Sequence, residues 1–342
     1  MGQKEITSAV PALDEETGNP LNFGWARFPY FAYNPLLISV PRHLVCESDR
    51  YILFSPTHLI ILEVLDHGYL GYAGMSVVSL LDKKRSSQRW IIPFPLGSLN
   101  LPKNSDEGQV KVQGKKYMFN FAAMDNGARL IKVDFPQFGH HKSLRGELVL
   151  TPPEGAQSLA THMPWRGKKH TFRCCRRSPL YVAEGVILFG AQELFFSRGN
   201  SWGIYEWNRG VRPRSDVRFW ASGCGKSNGR QVGFSVGFDS SDTALGTENA
   251  FFLDGVIHKL DQVTFQISPS DWLSPWRFTS NDNRLEMVFN PHQERTERLR
   301  MLFYTLRRRQ VCGFFSGKVI LDDGSEFEFE NITGFAERRR VR

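Results

Sequence analysis

From about position 50 onward the chain repeats one theme. Short runs rich in Ile, Val, Leu and Phe alternate with Ser-Pro, Asp-Gly and Lys-Lys breaks. Runs at 51–54, 59–64, 76–81, 109–112, 117–121, 128–134, 146–150 and 170–173 predict strands, because β-branched and aromatic residues bounded by turn formers suit a pleated, half-buried surface. The second half is cleaner. Residues 186–190 and 193–197 form a hairpin-like pair, and 231–238 (QVGFSVGF) alternates large apolar residues with glycine and serine. Asp254-Gly255 joins 250–253 to 256–267, the dipeptide best suited to a tight hairpin. At 325–330 Glu and Phe alternate strictly, which gives one wet face and one packed face. Residues 298–306 fit helix and strand periodicities alike, and the flanking hairpins favour strand. Glycines at 68, 71 and 74 with intervening aromatics predict a bent or bulged strand.

No long helical period competes, so the expected fold is all-β: antiparallel barrels or sandwiches, two of them for this length. Residues 1–40, punctuated by Pro11, Pro20, Pro29 and Pro35, read as an extended arm anchored by Trp25. A first barrel or sandwich is expected over 41–175 and a second over 176–342. Met163-Pro164-Trp165-Arg166 and Ser274-Pro275-Trp276-Arg277 stand as corresponding elements of the two.

Composition narrows the function classes. With 342 residues and 41% hydrophobic content the chain has enough apolar material for real cores, and no apolar run is long enough to span a bilayer as a helix. The first sixteen residues lack the apolar stretch of a secretory signal. Five cysteines without a CxxC pair predict free thiols in a reducing, cytoplasmic setting. The net charge of +8 gathers at 166–177, 295–309 and 338–342. No nucleic-acid motif accompanies it, so no nucleic-acid partner is expected. The clusters read as a solvated face and a basic tail, open to weak peripheral attraction to an anionic membrane. Adjacent His140 and His141 fit a surface loop better than a metal site, and no metal or cofactor fingerprint is present. Gly233-Phe234-Ser235-Val236-Gly237 matches the form of a nucleophile elbow but lies inside an alternating strand, where that motif does not work.

The densest stretch is 201–214, SWGIYEWNRGVRPR. On a strand, parity puts Trp202, Ile204, Glu206 and Asn208 on one face and Tyr205, Trp207 and Arg209 on the other. A Glu206 carboxyl facing an apolar cavity with few charges to offset it would stay protonated near neutrality and could act as a general acid. The bland alternative is pairing with an arginine, for which Arg209, Arg212 and Arg214 are near in sequence. His258 shares its parity with Val256 and Leu260 and is a candidate proton shuttle, against the commoner core histidine. Glu248 and Asn249 line a ligand or simply shape their loop.

Gly24-Trp25-Ala26-Arg27, Gly71-Tyr72-Ala73-Gly74, Trp207-Asn208-Arg209-Gly210-Val211, the run 247–255 (TENAFFLDG) with His258-Lys259-Leu260, and Pro275-Trp276-Arg277 occur in this order. On these motifs the chain resembles the domain of unknown function 2804 family, over nearly its whole length. More distantly it is similar to two-barrel, lipocalin-like proteins that include carotenoid hydratases and tocopherol cyclases. The resemblance implies two consecutive calycin-type barrels and a cofactor-free acid–base reaction on an apolar, unsaturated ligand. Where the family commonly has Asp before the tryptophan this chain has Glu206, and where an aromatic follows the proline it has Arg214. Catalytic candidates are therefore Glu206 and His258. The expected partner is a hydrophobic small molecule, lined by Trp202, Trp207, Phe234, Phe238 and Trp276 and touched by Arg209, Glu248 and Asn249. A carrier without chemistry and a module without ligand are the alternatives.

Overall fold

The computed structural model describes residues 3–139, 142–301 and 304–342. His140, His141 and the middle of the 298–306 segment, Leu302 and Phe303, lie outside the described residues. Among the described residues the only helical turns are 3-10 turns at Pro35–Leu37 and Arg42–Leu44, so the all-β expectation holds. No helix there is long and apolar enough to cross a membrane.

Two large antiparallel sheets carry the fold, one of 13 strands and one of 9. The strand Trp202–Val211, from the densest stretch of the sequence, sits in the middle of the larger sheet. It pairs with Phe172–Phe189 on one side and Glu47–Phe54 on the other. Each sheet curls on itself. In the first, Trp90 near one edge stacks on Tyr117 at 4.6 Å and Phe135 at 5.0 Å from strands near the other. In the second, Phe238 meets Phe265 edge-on at 5.2 Å to draw the ends together.

The chain passes from the first sheet to the second at 212–215, between Trp202–Val211 and Asp216–Ser227. The boundary expected near 175 falls inside Phe172–Phe189, which runs through that position as one strand and pairs there with Trp202–Val211. The arm joins both halves. Gly24–Ala26 adds to Leu159–Pro164 of the first sheet, while the Lys4 amide donates to the Leu245 carbonyl at 2.8 Å and Arg27 Nη1 to the Ile257 carbonyl at 2.9 Å. Trp25, the expected anchor, is buried.

Three large apolar layers, and a small cluster of Leu65, Tyr72, Leu306 and Val341, follow from strand parity among the described residues. One fills the first sheet around Tyr51, Phe119, Phe135 and Trp207, and another fills the second around Phe234, Trp276, Phe289 and Phe315. The third lies between the sheets and takes Ile52, Phe54, Trp202, Ile204, Trp220 and Phe335. A bulge in Phe172–Phe189 locks it. Leu180, held at φ +84, projects at Gly233, where a Cβ would come 3.0 Å from Leu180 and Pro179. That contact gives Gly233, the first glycine of QVGFSVGF, its reason.

Other local expectations divide. Asp254 (φ +48) and Gly255 (φ +86) make the expected hairpin turn, and Leu285–Met301 pairs with Tyr304–Ile320 as strands. The predicted bend at 68–74 is not a bulge. Gly68 turns at φ +71, after which Leu70–Ser79 pairs on both sides without a register break.

Candidate functional site

Where the sheets face each other, the apolar layer gives way to charge. Along the first sheet Arg177, Glu206, Arg50 and Glu63 are successive cross-strand partners, followed by Gly74 and Arg89. The second sheet answers with the row Arg218, Arg339, Arg308 and Glu297, and beside it Trp220, Glu337, Gln310 and Arg295. Ion pairs then cross the seam one after another. Glu206 meets Arg218 at 3.0 Å, and Arg50 donates to both Glu337 oxygens at 3.0 and 2.9 Å. Arg308 donates to both Glu63 oxygens at 2.8 and 2.9 Å, and Arg89 reaches Glu297. Burial opposes ionisation of Glu63 and Glu337. Arg308 and Arg50 override it and hold Glu63 well below, and Glu337 below, the ordinary carboxylate value.

Glu206 therefore stands on the predicted face beside Trp202 and Ile204, yet not in an apolar cavity. Arg177 Nε lies 3.4 Å away in addition to Arg218, and neither is one of the sequence-near arginines. Glu248 joins the same cluster, 2.9 Å from Arg177, 3.3 Å from Arg218 and 2.5 Å from Arg173, which also reaches Asp239. Three guanidinium groups, of Arg177, Arg218 and Arg50, approach the Trp220 ring at 5.0, 5.2 and 5.4 Å. The Trp220 indole donates to Ser235 Oγ at 2.9 Å, which gives the serine of the 233–237 motif a structural partner.

The remaining candidates separate. Trp207 belongs to the first core, donating to the Pro102 carbonyl at 3.2 Å, and Arg209 packs over its ring and pairs with Asp49 at 3.0 Å. Phe234 and Trp276 are closed within the second core. Phe238 is 41% exposed and sits at the open rim of that core, stacked on Phe219 and edge-on to Phe265. Trp202 lies in the layer between the sheets. The five aromatic residues expected to line one interior thus belong to four surroundings. Asn249 shapes its loop, accepting from the Gly237 amide at 2.7 Å and donating to the Asp261 carbonyl at 2.7 Å.

His258 shares its face with Val256 and, across the hairpin, with Phe251 of the second core, but its strand is the edge of the sheet and Val256 is 48% exposed. Its Nδ1 accepts the Asp322 amide at 3.1 Å, and half-burial lowers the imidazole's pKa against the pull of Asp322. The opposite face of that hairpin, toward the layer between the sheets, carries Ile257 and Lys259. The Lys259 ammonium donates to Thr247 Oγ1 at 2.6 Å and to the carbonyls of Asn249 and Leu260, each at 2.8 Å. Burial pulls it down to about 7.

The basic clusters also differ from a solvated face. Arg173, Arg177 and Arg308 are buried, because the facing carboxylates make a dry guanidinium tolerable. The positive charge is only partly matched where Trp202–Val211 leaves its sheet. There Arg212, Arg214 and Arg342 border a cleft of about 390 Å³ with apolar walls from Leu44, Tyr69 and Val341, and its lining includes no Asp or Glu among the described residues. Arg212 Nη1 is closed to solvent and has no hydrogen-bond acceptor among the described residues. Arg339 lies close enough for burial and Arg212 together to pull its guanidinium below the ordinary value.

Residues 3–342 match the family described as Domain of unknown function (DUF2804). The chain belongs to that family. Among solved structures it is similar in shape to kievitone hydratase from Nectria haematococca. The TM-score is 0.48 and identity 11%, over 86% of this chain and 88% of that one. It is also similar to a Nitrosomonas europaea protein described as an AttH candidate. There the TM-score is 0.49 and identity 10%, over 86% and 91% of the two chains. No curated protein matches in sequence.

In this DUF2804 chain the sequence motifs led to Glu206 and Glu248 but missed the arginines that enclose them. A signal existed. Arg50, Glu63, Arg177 and Arg308 each interrupt or flank apolar strands at positions whose parity points inward, which a lone charge on a solvated face has no reason to do. All described cysteines are free, and only Cys46 is not fully buried. No metal-ligating group of three or more side chains occurs among the described residues.

Proposed function

We propose that this chain binds an amphiphilic small molecule, an apolar body with an anionic head, in the cleft at the exit of Trp202–Val211. The observation that carries the reading is the buried Arg212 nitrogen that has no acceptor among the described residues, set in a cleft of about 390 Å³ with apolar walls and no acidic side chain among its described lining. A buried donor left unmet costs free energy that a carboxylate or similar oxygen would recover. The apolar walls offer the body of such a ligand the usual burial gain.

The acid–base version of the reading gains no support from Glu206, which is 3% exposed and already meets Arg177 and Arg218. Binding without chemistry is the form we favour. Titration with a fluorescent long-chain fatty acid tests it. Saturable binding, displaced by unlabelled fatty acid and not by the matching alcohol, is expected. Equal displacement by acid and alcohol would remove the role given to the arginines, and absence of saturable binding would remove the reading.

A further inference from the structure

One position in the charged row of the first sheet is empty. Every strand from Phe172–Phe189 to Arg85–Pro93 contributes a charged residue to it except Leu70–Ser79, which contributes Gly74 between Glu63 and Arg89. A cavity of about 260 Å³ opens there, walled by both sheets and separate from the cleft at Arg212. Arg85, Arg89, Arg295 and Arg308 border it, against the carboxylates of Glu63 and Glu297.

Neither carboxylate has capacity to spare. Glu63 accepts two Arg308 nitrogens and the Tyr72 hydroxyl. Glu297 is shared by Arg89, by Arg295 at 2.5 Å and by Arg85 at 4.0 Å. Arg85 fares worst. It donates to neutral oxygens, Ser76 Oγ at 3.3 Å and Gln310 Oε1 at 3.5 Å, and its buried Nε has no acceptor among the described residues. Arg295 donates to the same Ser76 Oγ at 2.9 Å. Two guanidinium groups thus converge on one hydroxyl beside an open volume. Burial, with Arg295 adding to it, pulls Arg85 down to about 9.

We propose that this cavity binds a doubly charged tetrahedral oxyanion, a phosphoryl or sulfate group, between Arg85 and Arg295. Four cations against two anions leave an excess of two charges, which such a group balances. Its several oxygens suit two forked donors better than a single hydroxyl does. The volume exceeds what a bare phosphate fills and leaves room for the body of a small ester.

Calorimetric titration of the full chain with inorganic phosphate, sulfate and glycerol 3-phosphate, in chloride buffer at constant ionic strength, tests the proposal. Saturable binding of at least one is expected. Preference for the ester identifies a phosphorylated metabolite, and preference for the free ion identifies inorganic anion. Arg85→Gln is expected to weaken binding at least tenfold without lowering the urea midpoint of the ligand-free protein. Gly74→Val, which fills the gap and removes no charge, is expected to do the same to binding. Bound phosphate should also shield Arg85 of the unaltered protein from dicarbonyl modification mapped by peptide mass. Failure of all three anions to bind, binding that survives both substitutions, or an unshielded Arg85 in the bound protein overturns it.

Discussion

Glu206 and Arg218 meet at 3.0 Å across the boundary between the two sheets, both almost closed to solvent. Glu206→Gln keeps the shape and removes the charge. Breaking a buried pair commonly costs about 3–5 kcal/mol. The low end is expected here, because Glu248 still touches both Arg177 and Arg218. Urea unfolding measures it. A loss well under 1 kcal/mol would show that Glu206 is not part of the cement.

Arg50 and Glu337 form a bidentate pair whose worth depends on what replaces it. Arg50→Met and Glu337→Leu singly are each expected to destabilise by about 3 kcal/mol or more, while the double variant recovers most of that loss. A double-mutant cycle by urea denaturation reads the coupling. Additive costs would mean that the pair acts through packing, with Arg50 lying over Trp220 and Phe335.

Gly210 stands at φ +146, and a Cβ there would lie 2.2 Å from the Phe172 carbonyl oxygen. Backbone atoms cannot yield as a side chain does. Gly210→Ala is therefore expected to cost on the order of 2–3 kcal/mol and to loosen the Arg212 cleft just beyond it. Hydrogen exchange at Phe172–Phe189 and Trp202–Val211 reports the first effect directly.

For the cleft itself, Arg212→Ala and Leu44→Trp separate head from body. The first is expected to weaken fatty-acid binding about tenfold or more through the lost charge-assisted contact. The second should weaken acid and alcohol alike by filling the volume. Fluorescence titration of both variants distinguishes these outcomes.

Stability should decline with acid in two stages. His162 is buried among Phe23, Phe31 and Phe172, and burial lowers it from 6.5 to about 3. Unfolded chains then bind the extra proton, so stability present above pH 6.5 is lost as pH falls toward 3, at ~1.4 kcal/mol per pH unit for one such group. Glu63, Glu248 and Glu337 are held below their ordinary 4.5, so their contribution is present above that value and lost as pH falls beneath it. Urea midpoints from pH 8 to 3 show both stages, and His162→Phe should shrink the upper one, to which His67, also lowered by burial, contributes. An unchanged upper stage in that variant would assign it elsewhere.

Strand content, the Asp254-Gly255 hairpin and the two faces of 202–209 were legible because period-2 alternation and turn chemistry are local properties. Glu206 and Glu248 could be picked out for the same reason. Their company could not, since Arg218 and Arg177 reach Glu206 from other strands and even from the other sheet. The boundary expected at 175 shifted to 212–215 because Phe172–Phe189 is long enough to pair with several strands in turn, and length of that kind is masked by Pro179. The hairpin carrying His258 has its parity as expected but stands at the sheet's edge, which its sequence does not reveal, and on its other face the long Lys259 stem turns inward to find three oxygens.

The charged row also bears on how the chain comes off the ribosome. All strands of the first sheet precede residue 212, so that sheet can close while its partner is still being made. The face it shows in that interval carries Arg50, Glu63, Arg177 and Glu206 beside Trp202 and Ile204. Charges that will later be dry are wet at that moment, and they keep a half-made protein from presenting an unbroken oily surface to its neighbours.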